Sequence, residues 1–84
     1  MEKFYFLKNI LSHLIGSIKK QDFLVYFRKI SILELKETSV IIGVYSSFMK
    51  DNLEAKFYKQ ILEAIQKENK NIISIEFKID AQID

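Results

Sequence analysis

The strongest constraint on the fold comes from residues 73–79, where apolar and polar residues alternate without exception. Isoleucine or phenylalanine occupies every odd position of this segment, and serine, glutamate or lysine occupies every even one. Because side chains along a β-strand point alternately to the two faces of the sheet, the segment predicts a strand with one apolar and one polar face. Such a strand is typical of a sheet that is covered on one face and solvated on the other.

The rest of the chain changes between helical and strand periodicity. Apolar residues recur at helical spacing over residues 4–18 and, more briefly, over 23–30, which predicts two helices. Alternating apolar residues, many of them β-branched, predict strands near 31–36 and 39–45, joined by a polar turn. A run of strong helix formers over 49–67 predicts a third helix.

The predicted order is therefore α-α-β-β-α-β, and the fold class is α+β: one domain over residues 1–84, with a three-stranded sheet covered on one face by helices. This layout resembles the KH fold. Ser46 or Ser47 is expected to cap the start of the third helix. Asn69 or Asn71 is expected to end it in the left-handed conformation that glycine often supplies.

Composition excludes several classes of protein. The chain has no cysteine, so it can form neither a disulfide framework nor a zinc–thiolate site. Its 13 basic and 11 acidic residues nearly balance, which argues against strong non-specific binding of nucleic acid. No secretory signal or membrane-length apolar run is present, so we expect a cytoplasmic protein without a membrane partner. Residues 81–84 break the alternation and are interpreted as the possible start of a linker.

Residues with catalytic or metal-binding chemistry are sparse. His13 is the only histidine, whereas a zinc site needs three or four ligands. The two glycines lie too far apart for a glycine-rich phosphate loop, and the carboxylates are dispersed. No nucleophile is paired with a base. We therefore expect no enzymatic activity and no cofactor or metal in this domain, with His13 at the surface.

The first helix carries two apolar ridges. The first ridge is expected to face the core; its residues are Phe4, Leu7, Leu11, Leu14, Ile15 and Ile18. Phe6 and Ile10 form a neighbouring ridge that His13 continues. This second ridge either widens the buried face of the helix or provides a contact surface for another protein chain.

The segment Gln-Asp-Phe-Leu-Val-Tyr-Phe-Arg-Lys-Ile over residues 21–30 leads into the predicted hairpin, and Tyr-Ser-Ser-Phe-Met-Lys-Asp-Asn-Leu follows it. Together they resemble the N-terminal domain of DnaA, the bacterial chromosomal replication initiator. Asp22 and Phe23 match that family's acidic–Phe pair, and Tyr26 takes the place of a Trp. Phe48 matches the family's Phe after the second strand.

The resemblance extends over nearly the whole chain and implies a protein-interaction module with a KH-like fold. In this family the domain mediates self-association, helps to recruit the replicative helicase and docks regulators of initiation, while the ATPase and origin-binding domains lie elsewhere. Leu7 matches the family's self-association position, beside Phe6 and Ile10. Asp22 and Phe48 match positions that contact the helicase or regulators.

The residues themselves leave alternatives open at these positions. In a continuous helix Phe48 would lie about 180° from Phe57 and away from the core, as an accessible anchor for a partner. Alternatively, Phe48 packs back on the sheet edge as a hydrophobic staple. Asp22 could equally cap the second helix. Tyr26, Phe27 and Phe57 are expected in the core rather than in a partner contact.

Two other functions fit the sequence less directly. One is weak binding of single-stranded nucleic acid through the sheet or the hairpin lysines, with an affinity that would fall steeply with salt. The other is a free-standing small regulator that shares this domain.

Overall fold

The structural elements follow the predicted order, with one interruption in the third helix. The computed structural model describes residues 2–80, so the possible linker at 81–84 lies outside the described residues. The elements are α1 (Glu2–Ile15), α2 (Lys20–Tyr26), β1 (Ser31–Leu35), β2 (Ser39–Val44), α3 (Ser47–Asn52), a π-helical turn (Leu53–Phe57), α4 (Tyr58–Glu68) and β3 (Ser74–Ile79). The α+β class is confirmed.

The sheet has the order β1-β2-β3, with β2 in the centre. The β1–β2 pair is antiparallel and is closed by a turn in which the amide of Lys36 donates to the carbonyl of Ser39 at 2.9 Å. The β2–β3 pair is parallel, from Ser39 opposite Ser74 to Val44 opposite Ile79. The helical segment from α3 to α4 therefore makes the crossover that a parallel pair requires.

The sheet face without helices is partly covered by β1 itself. A bulge between Ile32 and Glu34 places Leu33 across Gly43 of the central strand. A Cβ atom on Gly43 would lie 3.0 Å from Cγ of Leu33, so this position has no room for a larger side chain. Ile41, next to Gly43 on this face, is buried as well.

The buried face of α1 is rotated from the predicted one. Phe4 and Ile15, which were expected in the core, are 61% and 62% exposed, whereas Ile10 is 1% exposed. The prediction was wrong because α1 packs against α4 as well as β1. The ridge of Phe6 and Ile10 therefore faces inward. Ile10 was predicted as a contact for self-association, and that prediction was wrong because its side chain is buried in the core.

The second helix begins earlier than predicted. It starts at Lys20, and Lys19 occupies the cap position without a side-chain hydrogen bond. Asp22 thus lies inside the first turn rather than at the cap, and the prediction of a cap was wrong. A carboxylate in the first turn still stabilises a helix, because it faces the positive end of the helix dipole. The helix ends at Tyr26, before the predicted Ile30.

The π-helical turn interrupts the predicted third helix. Its last residue, Phe57, has φ −124° and ψ 2°, away from α-helical values. Five buried residues recur at a strict spacing of four: Met49, Leu53, Phe57, Ile61 and Ile65. In a continuous α-helix each such step advances about 40° beyond a full turn, so the row would spiral about 160° around the helix. A π-helical turn contains an extra residue, which returns the row to the core.

The ends of this helical segment were predicted with mixed success. The Ser46 hydroxyl accepts a hydrogen bond from the amide of Met49 at 3.3 Å, which confirms Ser46 as the cap. The left-handed ending at Asn69 was wrong, because Asn69 is extended, with φ −152°. No residue from 2 to 80 adopts a positive φ, so Asn71 does not supply it either.

The apolar face of β3 is shorter than predicted. Ile75 and Phe77 are buried as expected, but Ile73 is 68% exposed and Ile79 is half exposed. Ile72 takes the buried position instead. The strand begins only at Ser74, so the alternation in the sequence starts before the backbone becomes regular.

Candidate functional site

Five aromatic rings form a continuous row of contacts, with the two buried rings in the middle and more exposed rings at both ends. Phe23 stacks on Phe27, with ring centroids 5.6 Å apart, and Phe27 meets Phe57 edge-on at 5.6 Å. The Tyr26 ring lies 5.5 Å from that of Phe57 and 6.1 Å from that of Phe48. Phe27 and Phe57 are buried, as predicted, while Tyr26 is only half-buried. We call these five rings the aromatic chain.

Phe48, at the outer end of the aromatic chain, is 59% exposed. Its ring contacts Tyr26, and Asp22 lies one helical turn before Tyr26 on α2. Asp22, Tyr26 and Phe48 therefore form one surface across α2 and α3, which we call the Asp22–Phe48 surface. An aromatic side chain that packs on one edge and is open on the other is suited to anchor a protein partner.

The π-helical turn determines where Phe48 lies. The expectation that Phe48 points about 180° away from Phe57 assumed a continuous α-helix. Tyr26 instead contacts both rings, so Phe48 and Phe57 flank the same side chain. The extra residue of the π-helical turn accounts for the difference, because it rotates α3 relative to α4. Phe48 is accessible, as predicted, but next to the core rings rather than opposite to them.

A second open surface lies along α1. Its groove, of about 440 Å³, is lined mainly by the apolar residues Phe4, Leu7, Leu11, Ile15 and Phe23, with Lys8 and Ser12 at its side. We call it the α1 groove. Phe23, which lines this groove, is the end of the aromatic chain opposite to Phe48.

The three residues predicted for self-association are divided among different environments. Leu7 lines the α1 groove. Phe6 is half-buried and lines another groove beside Tyr5 and Leu35. Ile10 is part of the core and has no surface to offer a partner. Phe4 and Ile15 were missed as surface residues, because their helical spacing is that of a core-facing ridge.

A polar cluster that the sequence did not predict ties α1 to α4. Nε2 of His13 lies 2.8 Å from Oε2 of Glu68, and Nδ2 of Asn9 donates to Oε1 of Glu68 at 3.0 Å. The hydrogen bond with His13, supported by that of Asn9, holds the pKa of Glu68 below its ordinary value. His13 is partly exposed, in line with a surface histidine.

Among the described residues, neither a group of metal ligands nor a membrane-spanning helix is found. Within residues 2–80 no group of three or more histidine, aspartate or glutamate side chains is arranged to hold a metal ion. In the same part of the chain, every helix is too short or too polar to cross a membrane. The candidate functional sites are the Asp22–Phe48 surface and the α1 groove, because both expose large apolar side chains.

The comparisons with known proteins agree on one family. The family model described as the DnaA N-terminal domain matches residues 6–67. A chromosomal replication initiator protein DnaA from Borrelia turicatae is 30% identical over 74 residues, covering 83% of this chain. The corresponding protein from Borrelia hermsii is 28% identical over the same length. The chain spans only 15% of the length of either relative.

We predict that replacing Glu68 by Gln changes how stability depends on pH. A carboxyl whose pKa is lower in the folded state stabilises the fold above its unfolded pKa, and this contribution is lost as the pH falls through the folded value. Urea unfolding should show Glu68→Gln less stable than the parent chain at about pH 7, with the difference shrinking as the pH falls below the ordinary glutamate pKa of about 4.3. Glu63→Gln, on the exposed side of α4, is the control. A pH-independent difference for Glu68→Gln would contradict the prediction.

Proposed function

The chain belongs to the DnaA N-terminal domain family, and from this premise we propose that it is the protein-interaction module of a replication initiator. In this proposal the Asp22–Phe48 surface recruits the replicative helicase or regulators of initiation. The α1 groove mediates self-association. The proposal assigns the domain no chemical step, and any ATPase or origin-binding activity would belong to other parts of such an initiator.

The observation that carries the proposal is the exposure of Phe48 at the end of a packed aromatic chain. A large apolar side chain in water is unfavourable by about 1.5–3 kcal/mol relative to full burial, so covering it with a partner stabilises a complex. Tyr26 fixes one edge of the ring, which reduces the conformational entropy lost on binding. Asp22, one helical turn before Tyr26, supplies a negative charge that a basic side chain of the partner can meet.

The α1 groove supports self-association through its composition and its exposure. Phe4 and Ile15 are mostly in water, although both belong to an apolar ridge of one helix. Two copies of the groove can face each other across a two-fold axis, since the same apolar patch on both chains is self-complementary. Leu7, the family's self-association position, lies between Phe4 and Ile15 on α1 and lines the groove, which supports its place in the proposed contact. Ile10 is removed from the proposed contact because it is buried.

We predict that Phe48→Ala weakens binding of the replicative helicase, or of an initiation regulator, from the organism that encodes this chain. A central aromatic anchor contributes about 2 kcal/mol or more, so the dissociation constant should rise about thirtyfold. Because Phe48 is mostly exposed, the melting temperature should change little. Calorimetric titration and thermal unfolding measure the two quantities.

Tyr5→Ala is the matched control for this experiment, because Tyr5 is 58% exposed and lies outside both proposed surfaces. It should leave the dissociation constant unchanged. The assignment of the Asp22–Phe48 surface fails if Phe48→Ala binds as tightly as the parent chain, or if Tyr5→Ala weakens binding to the same extent.

We predict that Ile15→Lys abolishes self-association. A lysine in the groove would place two like charges opposite each other in a symmetric contact, which disfavours the dimer. Sedimentation equilibrium should show a concentration-dependent dimer for the parent chain and a monomer for the variant. The control is Ile73→Lys, because Ile73 is about as exposed as Ile15 but does not line the groove. This variant should dimerise as the parent chain does. Equal dimerisation of all three chains would contradict a contact through the α1 groove.

A further inference from the structure

A third groove lies between α2 and the segment that joins β2 to α3. It has a volume of about 450 Å³ and is lined by Leu24, Val25, Arg28, Lys29, Tyr45 and Met49. We call it the Arg28 groove. Its lining shares no residue with the Asp22–Phe48 surface proposed above for the helicase or regulators.

Much of the apolar lining of the Arg28 groove is exposed. Leu24 and Val25 are 49% and 54% exposed, and they are neighbours on the outer side of α2. Met49, which also lines the groove, is buried. An apolar group that entered between Leu24, Val25 and Met49 would therefore be largely removed from water. With Tyr45 and Met49, the two aliphatic side chains line one apolar patch, and a contiguous exposed apolar patch marks interaction sites.

All the charged side chains that line the Arg28 groove are positive. Arg28 and Lys29 both line it, and none of the described residues that line it is acidic. Within residues 2–80 no carboxylate lies within ion-pair distance of either cation. The groove at the start of α1 differs, because Lys36 is accompanied there by Glu2 and Glu68. The Arg28 groove thus combines an apolar base with two positive charges that have no carboxylate partner among the described residues.

We propose that the Arg28 groove binds an acidic peptide segment that carries aliphatic side chains and belongs to another protein. The aliphatic side chains would enter between Leu24, Val25 and Met49. Carboxylates of the segment would pair with Arg28, whose planar guanidinium can bind a carboxylate through two parallel hydrogen bonds, and with Lys29.

Single-stranded nucleic acid fits the groove less well. Such ligands stack their bases on free aromatic faces. Among the described residues that line the groove, Tyr45 alone is aromatic, and Nζ of Lys29 lies 5.2 Å from its ring centroid, where it forms a cation–π contact. A base could stack on this face only by displacing the ammonium group. The aliphatic lining and the covered ring therefore favour a peptide.

The proposal is tested by fluorescence anisotropy with three labelled probes. The first is a synthetic peptide with Glu and Leu at helical spacing, the second has Lys in place of every Glu, and the third is oligodeoxythymidylate. We expect the chain to bind the acidic peptide and not the basic one. The double variants Arg28→Gln with Lys29→Gln and Leu24→Ser with Val25→Ser should each raise its dissociation constant about tenfold or more.

Two control variants separate this site from general charge and from the proposed function. Lys59→Gln with Lys67→Gln removes the same charge from α4 and should leave binding of the acidic peptide within about twofold. Phe48→Ala should also leave it unchanged, even though it weakens the helicase or regulator complex. The proposal is overturned if the acidic peptide does not bind, if both charge variants weaken it equally, or if oligodeoxythymidylate binds more tightly than the peptide and is released by the Arg28 variant.

Discussion

The row of buried residues at four-residue spacing, from Met49 to Ile65, is the constraint on which the rest of this structure depends. An α-helix cannot keep such a row on one face, because the row drifts by about 40° at each step. The π-helical turn at Leu53–Phe57 removes that drift where the helix crosses the sheet. Both halves of the helix can then pack against the same core, and the parallel strand β3 can follow in register with β2.

The same turn links the core to the candidate site. It places Phe48 and Phe57 on either side of Tyr26, so the rings form a continuous chain instead of lying on opposite faces of a helix. The aromatic chain begins at Phe23 in the α1 groove and ends at Phe48. The two proposed contact surfaces are thus built on one packed cluster. π-Helical turns are often found at functional sites, and here the turn sets the position of the exposed ring.

Periodicity predicted the strands and the element order, because alternating β-branched residues between polar turns are typical of strands. It did not fix the rotation of α1, whose apolar residues cover about half of the helix circumference and allow either ridge to face inward. The packing of α1 against α4 decides which ridge is buried. The polar contacts between these two helices join residues far apart in the sequence, such as His13 and Glu68, so periodicity could not reveal them. Phe48 and Asp22 came from the family resemblance. The four-residue row was visible in the sequence and is the signal that could have predicted the π-helical turn.

Deletion of Ala55, an exposed residue inside the π-helical turn, tests the central claim most directly. The deletion changes the spacing of the buried row from four throughout to 4-3-4-4, which a continuous α-helix holds on one face, within about 80°. We therefore predict that urea unfolding shows the deletion variant within about 1 kcal/mol of the parent chain. Insertion of a second alanine after Ala55 instead adds a residue that would rotate Met49 and Leu53 by about 100°, so it should cost about 2–5 kcal/mol, as for removal of a large core side chain. A deletion as destabilising as the insertion would contradict the claim that the four-residue row is what requires the π-helical turn.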